Sequence, residues 1–199
     1  MHKGSVTYFD SPGKANTESV LDAVRERLKK GDLKHVVVAS GSGETGMLAV
    51  SKLKGLGAKI VVVTEHCGAV KEGVCEMSPE AEGELASAGV KVVRATHALS
   101  GVERGINKKI GGSSRTEAIA EALRAFFGQG MKVCVEISIM AADNGAIPCG
   151  EVEVVAVAGT ESGADTACVI RPAHANGVFN LEVREVLAIP RRHREPERK

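Results

Sequence analysis

Short apolar runs and segments of helical periodicity alternate along most of this chain. Continuous runs of mainly β-branched and aliphatic residues, typical of strands buried on both faces of a parallel sheet, lie at 34–39, 59–64, 90–93, 132–139 and 152–158. Segments with helical spacing and capping residues or terminal glycines lie at 16–31, 44–56, 78–88 and 114–128. Strands that alternate with helices predict an α/β fold: a three-layer, open, mainly parallel sheet with helices on both faces.

The final third of the pattern differs from the rest. The apolar run at 166–170 follows the strand at 152–158 after a short turn, which requires an antiparallel return. A further edge strand is predicted at 183–189. No linker or internal repeat divides the chain, so we expect a single domain over residues 1–189, followed by a charged, mobile tail at 190–199.

Two of the predicted helices have a recognisable apolar face. One of the predicted connections is unusually long. Residues 16–31 place Val20, Leu21, Val24 and Leu28 on one side, whereas Ser114 and Glu117 form a capping box for the helix that ends at Gly128. The apolar face of that second helix is predicted from Ile119, Leu123, Phe126 and Phe127. The connection at 96–112 is long enough to be either a functional loop or an irregular helix.

Composition excludes several classes of protein. Among 199 residues, 26 basic and 25 acidic side chains nearly cancel, and the only aromatic residues are one Tyr and four Phe, so neither nucleic acid nor a membrane surface is an expected partner. No apolar run approaches the roughly 18 residues of a membrane span. The five scattered cysteines form no CxxC motif, which predicts free thiols, a cytoplasmic location and no metal site.

The strand at 34–39 runs directly into a glycine-rich turn and a helix start. The amino terminus of a helix leaves backbone N–H groups without partners and carries partial positive charge, which suits a phosphate. Glycines let an anion approach the backbone, and serine and threonine add hydroxyl donors. We therefore expect a phosphate-binding loop at Ser40, Gly41, Ser42, Gly43, Glu44 and Thr45. Replacement of Gly43 by Val is expected to block it.

Besides a site for a single phosphate, two interpretations of this turn remain open from the residues alone: a dinucleotide site and a turn that binds nothing. Gly41, Gly43 and Gly46 satisfy G-x-G-x-x-G between a strand and a helix, and Glu65 follows about 20 residues later, where a dinucleotide-binding fold places its ribose carboxylate. The glycines are equally compatible with a tight turn that binds nothing. A P-loop is excluded, because Met47 and Leu48 replace its lysine and hydroxyl residue.

Further candidate residues are expected at the same edge of the sheet, where open α/β sheets bind ligands. Each also has a structural interpretation as a turn, a cap or a packing residue. Glu136 is either paired or an acid–base group, since a carboxylate inside an apolar run is costly when it is alone. The candidates for ligand contact are Thr64, His66, Phe9, Asn16, Met140, Asp143, Gly159, Thr160, Gly163, Asp165 and Thr166.

Several segments resemble one known family. Residues 8–18, 37–45, 115–124, 132–148 and 159–173 are similar to a largely archaeal group of standalone proteins that look like the C-terminal α/β domain of pyruvate kinase. In that domain a Ser/Thr/Gly-rich loop binds the phosphate of an effector. The resemblance implies flavin mononucleotide (FMN) as the ligand and the family loop S-x-x-G-x-T at positions 40–45, which makes NAD less favoured. Pyruvate kinase activity itself is excluded, because its TIM barrel alone needs about 200 residues or more.

Two functions from different classes follow. The first is a binding or sensing protein for a phosphate-bearing ligand, most favourably FMN. The second is an FMN- or NAD-dependent oxidoreductase on an unknown small substrate, since a flavin performs the electron transfer itself and needs few protein groups. An assembly module with an empty cleft is a third option. No catalytic residue is assigned, and a homo-oligomer is compatible with the sequence.

Overall fold

A computed structural model describes residues 4–192, which form one sheet covered by helices. The strands are β1 (Thr7–Phe9), β2 (His35–Ala39), β3 (Lys59–Thr64), β4 (Lys91–Arg94), β5 (Val154–Ala158), β6 (Thr166–Arg171) and β7 (Glu182–Pro190). The helices are α1 (Thr17–Leu28), α2 (Glu44–Lys52), α3 (Pro79–Ser87), α4 (Gly101–Ile110), α5 (Arg115–Phe127) and α6 (Gln129–Asp143).

The strands follow the order β1-β7-β6-β5-β2-β3-β4, and β6 alone runs against the others. Val37 at the centre pairs with Val61 on one side and Ala156 on the other. The predicted α/β fold, mainly parallel with an antiparallel strand towards the C-terminal side, is confirmed.

The edge next to β7 differs from the prediction. β7 is not an edge strand, because β1 pairs parallel to it with Thr7 opposite Ala188. The Arg191 amide also donates to the carbonyl of Phe9 at 2.8 Å. Pro190 and Arg191, the first two residues of the predicted mobile tail, are therefore fixed to β1. Residues 193–199 of this tail lie outside the described residues.

Both faces of the sheet are buried, which explains the continuous apolar runs. Val36 and Val38 of β2 pack into one core and Val37 into the other, because successive side chains of a strand point to opposite faces. α1, α2 and α3 cover the first face, and α5 and α6 cover the second. Val20, Leu21, Val24 and Leu28 are buried in the first core as predicted.

The predicted strand at 132–139 is wrong: these residues lie within the 15-residue helix α6. α6 is buried along almost its whole length, so its sequence lacks the polar face that marks a surface helix. An apolar run of this kind cannot be told from a buried strand by its periodicity. The useful signal was the four-residue spacing of Lys132 and Glu136, which form an ion pair on one side of the helix.

The segment before α6 agrees only partly with expectation. The connection at 96–112 contains α4. The Ser114 hydroxyl accepts a hydrogen bond from the Glu117 amide at 3.0 Å, as the capping box predicts. On α5, Ile119 and Leu123 pack against the core, but Phe126 and Phe127 are 70% and 47% exposed. The predicted apolar face is thus buried in its first half only.

The cysteines also differ from expectation. Cys67 and Cys75 form a disulfide, whereas Cys134, Cys149 and Cys168 are free. The chain reverses between the paired residues, and the Gly68 amide donates to the carbonyl of Val74 at 2.7 Å, which brings the two Cα atoms to 4.2 Å. The prediction of five free thiols is therefore wrong for this pair. Separately, none of the helices in residues 4–192 is long and apolar enough to cross a membrane.

Candidate functional site

The strand order creates a crevice beside the central strand. From β2 the chain proceeds outward through β3 to β4, and then returns across the sheet to β5 on the other side of β2. Because the connections leave β2 and β5 in opposite directions, the carboxyl ends of these two strands border an open space. Ligands of open α/β sheets bind at such a switch point.

A cleft of about 520 Å³ lies at this position. Residues 40–43 are here called the glycine loop. Ser40, Gly41 and Ser42 of this loop line one wall, and the buried helix α6 lines another. Of the predicted ligand residues, the cleft brings together Ser40, Gly41, Ser42, Glu44, Thr45, Thr64, Met140, Gly159 and Gly163.

Serine hydroxyls occupy the amino terminus of α2. The Ser40 hydroxyl accepts from the Gly46 amide at 3.3 Å, and the Ser42 hydroxyl accepts from the Glu44 amide at 3.4 Å. Both bonds are long, so they hold the amides weakly. Among the described residues, no group is hydrogen-bonded to the hydroxyl of Thr45, which lines the cleft. This end of the helix therefore offers donors to a ligand.

The three motif glycines have different neighbours. A Cβ on Gly41 would have no atom within 4 Å, whereas one on Gly46 would lie 2.7 Å from a Val62 methyl group, between α2 and the sheet. Gly43 has φ +96° and faces α3, with the Cβ of Ala81 at 3.2 Å. The expectation that Val at position 43 blocks the ligand site is wrong, because that side chain would point at α3. Gly41 is the glycine that faces open space.

Two contacts fix the glycine loop from outside. The Thr64 hydroxyl at the end of β3 donates to the carbonyl of Gly41 at 3.0 Å. The Lys14 ammonium donates to the Glu44 carboxylate at 2.7 and 2.8 Å in an exposed ion pair. The carboxylate of Glu44 thus has a cationic partner on the protein surface.

Residues 159–165, here called the β5 turn, are organised around a buried carboxylate. Asp165 is fully buried and accepts from the amides of Gly13 and Thr160, each at 3.0 Å, and from the Thr166 hydroxyl at 2.8 Å. The Thr17 hydroxyl accepts from the Ala164 amide at 2.9 Å. Asp165 and the Ala164 amide therefore bind the amino-terminal arm to the sheet, whereas Gly159, Glu161, Ser162 and Gly163 of the same turn line the cleft.

The α6 wall carries a charged pair inside the fold. Lys132 and Glu136 are ion-paired, with only 4% and 5% of their side chains exposed, and the other Glu136 oxygen accepts from the Leu99 amide at 2.9 Å. Burial lowers the pKa of Lys132, against the opposing effect of Glu136. Glu136 is therefore paired, as one of its two interpretations expected, and it also lines the cleft beside Met140.

Sequence reasoning missed several residues of the cleft, among them three with basic side chains. His97, Arg104 and Arg124 line it, although they lie far from the glycine loop in sequence. Burial lowers the pKa of His97, so the imidazole stays neutral near pH 7. Arg104 is exposed and Arg124 donates to the Gln129 side chain at 2.7 Å. Arg104 on α4 and Arg124 on α5 reach the cleft through the packing of these two helices, and no local sequence motif indicates that packing.

The remaining candidates lie outside the cleft. His66 packs its ring against His97, with centroids 5.1 Å apart. Asn16 donates to the Ser11 carbonyl at 2.8 Å, and Asp143 accepts from His174 and the Ala175 amide at 3.1 Å each. The other candidates make structural contacts. Phe9 packs against the core, Gly43 lies against α3, and Thr160 and Thr166 are both hydrogen-bonded to Asp165 at the β5 turn.

Comparison with known proteins agrees with the fold. A solved structure of a competence-damaged protein (CinA) superfamily protein from Enterobacter cloacae aligns with 94% of this chain and 82% of its own, at 14% identity and a TM-score of 0.28, an overlap too poor to indicate a shared function. Residues 18–170 match the family described as pyruvate kinase, alpha/beta domain. This match covers most of the chain, including the glycine loop and α6, and the protein therefore belongs to the pyruvate kinase alpha/beta domain family.

Proposed function

We propose that the protein binds a phosphate-bearing small molecule, with FMN as the best fit, in the cleft between the glycine loop and α6. The observation that carries this proposal is the amino terminus of α2, which has weakly bonded amides and whose first residues, Glu44 and Thr45, line a cleft at the switch point of the sheet. Helix starts of this kind bind phosphate through backbone dipoles and hydroxyl donors.

The chemistry of the walls supports a ligand with one anionic end and one flat apolar part. Hydroxyl groups lie at the glycine loop, and the aliphatic side chains of Val133, Ile137 and Met140 lie along α6. The volume of about 520 Å³ is within the range of roughly 300–1,000 Å³ typical of cofactor sites. These residues fit FMN, whose phosphate the glycine loop would hold and whose ring the aliphatic residues would contact.

Charged side chains of both signs line the cleft. Arg104, Arg124 and Lys132 are its cations, and its carboxylates are Glu44, Glu65, Glu76, Glu136 and Glu161, so the lining as a whole carries no excess of positive charge. Glu44 and Glu136 each have a lysine partner. The exposed guanidinium of Arg104 makes no ion pair within residues 4–192, so it is available to a ligand and would add a charged donor to those of the glycine loop.

A second candidate is an FMN- or NAD-dependent oxidoreductase. Two observations favour it: Glu65 lines the cleft, and Gly46 lies against Val62 as the third glycine of a dinucleotide motif does. A bound flavin would supply two-electron transfer. The chain would contribute the neutral His97 and the Lys132–Glu136 pair as groups that hold or exchange a proton at the cleft. A cytoplasmic location remains part of this proposal.

A titration with FMN tests the proposal. We expect saturable quenching of flavin fluorescence with one FMN per chain and competition by inorganic phosphate. Thr45→Val removes the free hydroxyl at nearly constant volume and should weaken binding several-fold. Thr160→Val is the matched control, because Thr160 lies outside the cleft. Absence of saturable FMN binding, or equal loss in the two variants, would contradict the proposal.

Anaerobic mixing of the FMN complex with NADH or NADPH separates the two candidates. Bleaching of the flavin absorbance near 450 nm by either nucleotide would indicate an oxidoreductase. A flavin that binds and is not reduced would indicate a binding or sensing protein.

A further inference from the structure

The segment between β3 and α3, residues 65–76, forms an exposed loop that carries the disulfide and is here called the cysteine loop. Its first cysteine, Cys67, is exposed, and Cys75 is half-buried. Within residues 4–192, its backbone hydrogen bonds all join the loop to itself, at Gly68–Val74, Ala69–His66 and Val74–Lys71. The disulfide is therefore the strongest element that fixes its shape.

The residues that flank the cysteine loop on either side, Thr64 and Met77, lie next to the glycine loop. On one side Thr64 donates to the Gly41 carbonyl. On the other side the buried Met77 has its terminal methyl group 3.8 Å from the position of a Cβ on Gly43. Between these anchors, Val70 and Glu76 form part of the cleft wall. The cysteine loop thus contributes directly to the wall of the cleft.

Two of the three free cysteines in residues 4–192 are less accessible than this pair, and the third, Cys149, is half-buried like Cys75. Cys134 and Cys168 are fully buried, and burial raises the pKa of the Cys134 thiol well above its usual range. Thiol–disulfide exchange needs access to a sulfur atom and a thiolate, so these two are inert. Exposed disulfides are the ones that are reduced readily and act in regulation. Among the described cysteines, only Cys67 and Cys75 form a disulfide, and Cys67 is its exposed member.

We propose that Cys67–Cys75 is a reversible redox site whose substrates are low-molecular-weight thiols and whose oxidised state holds the cleft in its high-affinity form. A thiolate attacks the exposed Cys67 sulfur, the Cys67–Cys75 bond breaks, and Cys75 leaves as a thiolate that takes up a proton. A second thiol then attacks the mixed disulfide. It releases the Cys67 thiol and a small-molecule disulfide, so that two thiols supply the two electrons.

The consequence for binding follows from preorganisation. In the oxidised protein the ring closed by the disulfide keeps Val70 and Glu76 in the cleft wall. In the reduced protein the loop gains conformations, which a ligand must remove again on binding. This half of the proposal rests on the proposed function, whereas the redox response of the loop does not.

Limited proteolysis measures the conformational freedom of the cysteine loop and needs no ligand. Lys71 is the sole lysine or arginine of the cysteine loop, and it is exposed. Trypsin should cut after Lys71 at least about fivefold faster in protein reduced with dithiothreitol, or in the double variant Cys67→Ser/Cys75→Ser, than in oxidised protein. The control Cys149→Ser, which removes a free cysteine elsewhere, should keep the redox response. Equal cleavage rates in the two states would overturn the redox site.

FMN titrations of the same samples test the coupling. We expect oxidised wild-type protein to bind FMN at least about fivefold more tightly than reduced protein, and the double variant to have the weaker affinity under both conditions. If the oxidised and reduced proteins are cleaved at different rates but bind FMN equally tightly, the proposal that the disulfide sets the affinity of the cleft is overturned. Absence of FMN binding in both states would instead contradict the proposed function and leave the proteolysis result to decide the redox site.

Discussion

The glycine loop and the β5 turn have similar sequences and lie at the same edge of the sheet, but they use their polar groups differently. In the glycine loop, serine hydroxyls hold two amides weakly and the Thr45 hydroxyl faces the cleft. In the β5 turn, the buried Asp165 accepts three hydrogen bonds from the protein itself. A polar turn becomes a ligand site only when its donors lack strong internal partners.

The difference arises from a distant partner. The Gly13 amide that Asp165 binds belongs to the amino-terminal arm, 152 residues away in sequence. Within residues 4–192, the contact of this arm nearest the glycine loop is the exposed Lys14–Glu44 pair at the start of α2. One turn therefore stabilises the fold, and we expect the other to bind the ligand.

The largest predicted effect is on stability, at the β5 turn. Asp165→Ala leaves the amides of Gly13 and Thr160 and the Thr166 hydroxyl without their acceptor, and we expect a loss of about 3–5 kcal/mol in the free energy of unfolding. Urea denaturation measures it. Asp143→Ala, which removes a half-exposed carboxylate with two hydrogen bonds, serves as the control and should cost about 1 kcal/mol or less. Equal losses in the two variants would contradict the claim that the hydrogen bonds of Asp165 hold the amino-terminal arm to the sheet.

Two valine substitutions in the glycine loop should separate folding from binding. Gly43→Val places a β-branched residue at φ +96° against Ala81 and should destabilise the fold by about 1–3 kcal/mol. Gly41→Val has room for its side chain and should change the free energy of unfolding by about 1 kcal/mol or less.

For FMN affinity the order of the two variants is reversed, and Gly41→Val should have the larger effect. Because Gly41 lines the cleft, Gly41→Val should weaken FMN affinity by about tenfold or more, which is about 1.4 kcal/mol. Both quantities are measured on the same preparations, by denaturation and by FMN titration. A Gly41→Val protein that folds and binds FMN normally would place the ligand elsewhere.

The smallest expected effect concerns the surface pair between the arm and α2. Lys14→Ala removes an ion pair whose side chains are 57% and 67% exposed, so stability should change by about 1 kcal/mol or less and even less at high salt. FMN affinity should fall slightly, since Glu44 then faces the ligand without its counter-ion. A rise in affinity on removal of Lys14 would contradict this role of the pair.

Local patterns were sufficient for most of the fold. The continuous runs of β2, β3 and β5 were recognisable because both faces of these strands are buried, and Val20 and Val24 marked the buried face of α1. α6 was mistaken for a strand for a related reason. Burial on nearly all sides removes the polar positions by which a helix is recognised.

The candidate site was predictable only in its local part. Ser40 and Thr45 follow directly from a strand, a glycine-rich turn and a helix start, and they do line the cleft. Arg104 and Lys132 reach the cleft through the packing of α4 and α6, which no local pattern specifies. The disulfide likewise depends on how the chain turns between Cys67 and Cys75.

The most direct test of the phosphate site compares FMN with riboflavin, which has the same ring and lacks the phosphate. If the start of α2 holds the phosphate, the wild-type protein binds FMN at least about tenfold more tightly than riboflavin, and this ratio falls towards one in Gly41→Val while riboflavin affinity changes less. Equal affinities of the wild-type protein for FMN and riboflavin would contradict the account.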